Sequence, residues 1–194
     1  ASVTMIVLCD TCSVLMVIRI APDMFIEDKY GCATTSKVHN ELFRTQKFKE
    51  KYPWRANYRS NVSTLGASVT NTDDVNLHLT TINSIIEAGV TNPNTGFLVD
   101  LSPTDKHVIA CATANQYDIS SVDRSLVYFA ESQFDLRNVT PLGLVNRWLE
   151  QGLISWNEHM QMVIADWQSC GESKQSVSEV GQFQSLTGYP YVGP

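Results

Sequence analysis

The chain has 194 residues, 43 % of them hydrophobic and 18 % charged, with a formal net charge of −6. That length holds one domain with a sizeable core, and the composition excludes a disordered or fibrous chain. No apolar run approaches the roughly 20 residues of a membrane-spanning helix, and no basic-then-apolar leader is visible.

Residues 3–9 are β-branched and apolar without polar alternation, the pattern of a strand buried on both faces of a parallel sheet. Asp10 and Thr11 then open a helix expected to reach Ile20, before Pro22. A short strand is expected over 30–34, and Ser36 reads as the cap of a helix running to Lys49. Residues 60–72, rich in Ser, Thr and Asn, read as loop. Val75, Leu77, Leu79, Ile82, Ile85 and Ile86 recur with helical period, from Thr72 to Gly89. Ser102-Pro103-Thr104-Asp105 and Thr140-Pro141 are helix starts, with a short strand expected over 119–122 and Asp123 opening the helix between them. Ser155 to Glu158 reads as a capping box. The chain after Gly171 is polar and is expected to be a loosely packed tail. The alternation predicts an α/β fold with a central, mostly parallel sheet flanked by helices.

Ligands in open α/β sheets gather at the carboxyl ends of the strands. Asp10 and Asp123 each follow a predicted strand, and Glu41 and Asp105 stand on helices that a parallel sheet brings to the same edge. A hard divalent cation takes oxygen ligands of this kind, and without it clustered carboxylates repel one another. Singly, each acid has a plainer role: Asp105 and Asp123 as helix-start residues, Glu41 on a solvated face, and Asp100 and Asp118 as surface acids. His39 and His107 stand beside these acids at offsets that point elsewhere on a helix.

Four segments in order, IVLCDTCSVL (6–15), SKVHNEL (36–42), LSPTDKHVIACA (101–112) and YDISSVDRSLVYFA (117–130), resemble the motifs of the PIN-domain family, the fold of VapC-type toxins and related ribonucleases. The resemblance covers about residues 3–150. It implies a PIN-like three-layer fold over 1–152, with 153–194 as a C-terminal helical extension and polar tail. It implies Asp10, Glu41, Asp105 and Asp123 as ligands of Mg²⁺ or Mn²⁺, with Ser121 as a hydrogen-bonding helper. By the same resemblance the activity is RNA hydrolysis to a 5′-phosphate and a 3′-hydroxyl. The chain would be the toxin of a toxin–antitoxin pair or a processing enzyme, with an antitoxin or a second copy as protein partner.

Six of the 14 basic residues, Arg44, Lys47, Lys49, Lys51, Arg55 and Arg59, fall within 16 positions beside a single acid, Glu50. They are interleaved with Phe43, Phe48, Tyr52, Trp54 and Tyr58. Cations suit phosphates and aromatic faces suit unpaired bases, so this tract is the candidate RNA contact. The alternative is a solvated face whose aromatics pack inward.

Five cysteines are too many to pair fully, and Cys9, Cys32 and Cys111 sit in apolar or small-residue settings. They point to free thiols in a reducing, cytoplasmic compartment. Cys9 and Cys12 form a C-x-x-C at a strand-to-helix junction, the place of a thiol redox pair, although an apolar strand would bury Cys9. A third reading is a catalytically silent PIN fold kept as an interaction module.

Overall fold

The computed structural model describes residues 5–194. Its centre is a three-stranded, all-parallel sheet of order β2-β1-β3, with β1 at Val7–Cys9, β2 at Cys32–Ala33 and β3 at Asp118–Ser120. Residues 3 and 4 of the expected first strand lie outside the described residues, and pairing begins at Val7. All three residues of β1 are fully buried, as the unbroken apolar run requires of a central strand. Register sets Cys9 opposite Ser120, so β1 and β3 end side by side.

Helices flank this sheet. The first are α1 (Thr11–Val17), α2 (Ser36–Arg44), α3 (Ala67–Thr70) and α4 (Asp73–Ala88). They are followed by α5 (Pro103–Asn115), α6 (Arg124–Phe134), α7 (Pro141–Glu150), α8 (Glu158–Ser169) and α9 (Val177–Thr187). The two cap-and-proline starts hold: Ser102 accepts from the Asp105 N–H, and Thr140 from the Gly143 N–H. The run Val108–Ala112 of α5 is wholly buried, because small Ala and Cys side chains let this helix lie close to α4 and the sheet. Trp148, Phe129, Leu8 and Ile109 are among the largest fully buried side chains of the core. Each contributes roughly 1.5–3 kcal/mol by leaving water.

Several expectations are corrected. α1 ends at Val17, and Ile18 to Ile20 continue in turns. α2 stops at Arg44, not Lys49: Thr45 turns extended, and the carbonyls of Leu42 and Thr45 accept instead from Arg55 at 2.9 and 3.4 Å. Its cap is Thr35, whose hydroxyl accepts from the Val38 N–H at 3.2 Å. β3 stops at Ser120, since the backbone of Ser121 is taken by the side chain of Asn138. The loop over 60–72 contains α3, and the cap of α8 is Asn157 instead of Ser155.

Residues 171–194 depart furthest from the expectation of a loose tail. Ser176 caps α9 by accepting from the Glu179 N–H, and also donates to the Glu179 carboxylate at 2.8 Å. α9 lies on α7, with Phe183 fully buried edge-on against Trp156 and Asn146 donating to Glu179 O at 3.0 Å. Phe183 is the central anchor of this helix, and Val180 packs partly buried beside it against the core. Among the described residues no helix is long and apolar enough to cross a membrane.

Candidate functional site

Asp10 follows β1 and caps α1. Its Oδ1 accepts from the Ser13 N–H at 2.9 Å and its Oδ2 from the Ser121 hydroxyl at 2.5 Å. The same Ser121 oxygen accepts from the Asp123 N–H at 3.0 Å, and Asp123 in turn caps α6 through the Leu126 N–H at 3.0 Å. The two acidic residues that follow β1 and β3 are thus tied to one hydroxyl. Asn138 holds that hydroxyl's backbone on both sides, accepting from Ser121 N at 2.9 Å and donating to Ser121 O at 3.1 Å.

Asp105 arrives from the first turn of α5, where its N–H meets Ser102 Oγ at 3.1 Å. Burial, followed by the negative charges of Asp10 and Asp123 and then of Glu41, pushes its carboxyl up to about 7 against the opposing hydrogen bond from Ser102. Asp10, 3 % exposed, is pushed up to about 6 by burial, with Asp123 adding to the effect; its hydrogen bonds from Ser121 and Ser13 pull the other way. All four expected acids therefore share one electrostatic neighbourhood. Glu41 differs in being half-buried and paired with Lys47, at 3.6 Å. Among the described residues no three His, Cys, Asp or Glu side chains are close enough to enclose an ion. Were a cation held here, oxygen donors of this kind would suit Mg²⁺ or Mn²⁺.

Other residues singled out in the sequence do not belong to this acidic set. Asp118, expected at the surface, is buried in β3 at the opposite end of the strand from Asp123, with its N–H on Ile6 O. His107 is a core side chain whose Nε2 meets Thr70 O at 2.8 Å. The thiols of Cys9 and Cys12 are both held protonated. Contact with Cys32 raises Cys9 most, and burial raises Cys12 most, whereas a reactive cysteine needs the reverse.

The basic tract divides by role. Arg55 is structural, donating to Leu42 O, Tyr52 O and Thr45 O at 2.9, 3.4 and 3.4 Å. Lys51 donates to Cys170 O at 3.1 Å, and Arg59 lies 5.9 Å from the Phe43 ring. Arg44 and Lys49 stay exposed beside the Glu41 edge and the turn after it. Phe48 and Tyr52 are buried, and Phe48, Tyr52, Trp54 and Tyr58 meet edge to face in sequence. Phe48 and Tyr52 thus pack inward, whereas Trp54 and Tyr58 are half-buried, with the Arg19 guanidinium 4.1 Å over the Trp54 ring.

Two contributors carry no motif that sequence reasoning could use. One is Asn138. The other is Glu172, which bonds the Tyr52 hydroxyl and adds negative charge near Cys12, beside Asp10, so the segment after α8 reaches the site's border. The capping pair Ser176 with Glu179, and Val177, Val180, Phe183 and Leu186 at three-residue spacing, are local signals that this segment is ordered. No protein-family model matches this chain, and no curated protein is significantly similar to it in sequence.

Proposed function

We propose that this chain is a metal-dependent, PIN-type nuclease that hydrolyses RNA phosphodiester bonds. One observation supports it above the rest. Four carboxylates from four separate elements meet electrostatically at the carboxyl edge of a parallel sheet, and two of them are raised into the neutral range. Such a cluster costs stability by itself, and a bound cation is its natural counter-charge.

Asp10, Glu41, Asp105 and Asp123 would hold Mg²⁺ or Mn²⁺. The bound ion supplies activation of water and neutralisation of charge on the phosphate and its leaving oxygen. The chain itself supplies position. Ser13 and Ser121 hold Asp10 in one orientation, and Ser121 sets Asp123 at a fixed offset from it. Hydrolysis adds water across the phosphorus–oxygen bond, leaving a 5′-phosphate and a 3′-hydroxyl, as the resemblance to the PIN family implies. Exposed Arg44 and Lys49 would meet the backbone of the strand.

The test is cleavage of a mixed single-stranded and structured RNA pool with Mg²⁺, Mn²⁺ or chelator. Metal-dependent cutting is expected from the native chain and not from Asp10→Asn. Equal inertness of both, with no Mn²⁺ binding by either, would refute the reading. A non-enzymatic interaction module is favoured by one feature, the exposure of Phe97 and Leu98 (76 % and 69 %) in the turn after α4.

A further inference from the structure

A cleft of about 550 Å³ opens beside Ser121, between α6 and the strap at 173–176. Sites for small ligands span roughly 300–1,000 Å³, so one nucleotide fits and a duplex does not. The strap is held in place at several points. Glu172 bonds the Tyr52 hydroxyl, and Ser173 Oγ donates to Val122 O at 3.5 Å. Gln175 N donates to Pro194 O at 3.3 Å.

Gln175 lines the cleft and is 6 % exposed. Its Nε2 donates to Ser173 O at 2.8 Å, which orients the amide and leaves Oε1 buried without a partner. A buried acceptor left without a partner is costly, and from the cleft wall Oε1 gains one when the side chain turns toward an N–H of a bound molecule. Arg124 and Lys174, also in the lining, are exposed and belong to no ion pair among the described residues. Of the two lining acids, Glu179 is already bonded by the hydroxyls of Thr140 and Ser176, and Glu131 is exposed to solvent. Tyr128 adds an aromatic ring.

We infer that this cleft seats one unpaired nucleotide of the RNA strand, next to the phosphate at the carboxylates. Gln175 Oε1 accepts an N–H from the base edge, Tyr128 packs on the base, and Arg124 and Lys174 meet its phosphates. The base is unpaired because a complement would occupy the edge that Gln175 takes. The inference rests on the nuclease reading only for which phosphate is next to the bound nucleotide.

The experiment is titration of the full chain, in chelator, with AMP, GMP, CMP, UMP and inorganic phosphate, by calorimetry and by the side-chain amide resonance of Gln175. At least one nucleotide is expected to bind about tenfold more tightly than phosphate and to shift that resonance. Arg124→Glu and Tyr128→Ala should each weaken it by about tenfold. An acid at the start of α6 suits the helix dipole, so loss of binding in Arg124→Glu is not loss of fold. Four nucleotides bound no better than phosphate, or binding indifferent to both variants, would overturn the inference. No metal enters the titration, so it tests the cleft even in a chain that neither binds Mn²⁺ nor cuts RNA. A chain that cuts RNA but binds no mononucleotide overturns the cleft alone.

Discussion

Ser121 is the side chain on which the acidic cluster turns, because one hydroxyl both donates to Asp10 and accepts from the Asp123 backbone. Removing it leaves Asp10 with the Ser13 N–H but without a lateral partner. Ser121→Ala is therefore expected to lower Mn²⁺ affinity by about 10–100-fold, the usual cost of losing a residue that orients a ligand. Titration with Mn²⁺ checks this, and an unchanged affinity would remove Ser121 from the site. Asp105 and Asp10 also predict a pH dependence. Their carboxyls sit at about 7 and about 6, against an ordinary 3.8, so the folded state holds their protons more tightly than the unfolded state does. This contribution to stability is full below the ordinary value and is lost as pH rises through 6 and 7. Metal-free protein should melt lower at about pH 8 than at about pH 5, and Mn²⁺ should narrow the gap. Asp105→Asn should raise the metal-free melting temperature at about pH 8 by on the order of 2–4 °C, as relief of about 1 kcal/mol does in a chain this long.

At the scale of elements, α9 is held by a short apolar stripe in which Phe183 is the anchor and Val180 packs beside it. Phe183 is fully buried against Trp156 and Tyr191, and the rest of α9 is tied down by Asn146 and the Ser176–Glu179 cap. Phe183→Ala should cost about 3–5 kcal/mol. Thermal melts would show it as a drop of roughly 10 °C; a change within error would mean that α9 is peripheral. α5 carries the opposite pattern. Its hydrophobic face is not distinguishable in the sequence because all of Val108–Ala112 is inside, packed by α4 on one flank and the sheet on another.

Across the whole molecule, the charge of the basic tract is divided between two uses. Arg55 stitches the chain after α2 through three carbonyls, while Arg44 and Lys49 keep their charge in solvent. Arg44→Ala and Lys49→Ala should each reduce the salt dependence of RNA binding by about 0.7 in log–log slope without moving the melting temperature. Arg55→Ala should do the reverse, lowering the melting temperature by leaving those carbonyls short of a partner. Binding measured across a salt series, beside melts, separates the two roles; identical behaviour of all three variants would contradict the division.

The buried first strand, the caps at Thr72, Ser102, Asp123 and Thr140, and the positions of Asp10 and Asp123 after strands were all legible in the sequence. Each depends on residues within a turn of one another, so neighbouring side chains suffice to specify it. The end of α2, the clamp of Asn138 on Ser121 and the docking of α9 were not legible. Those depend on partners 13, 17 and 33 positions apart, as with Arg55 on Leu42, Asn138 on Ser121 and Asn146 on Glu179. Local propensity and pattern carry no record of such distances. The sequence alone determined which residues can carry charge and where the helices capped by Thr72, Ser102, Asp123 and Thr140 begin. Only the tertiary structure decided which charges face one another, because burial and repulsion depend on separation in space and not along the chain.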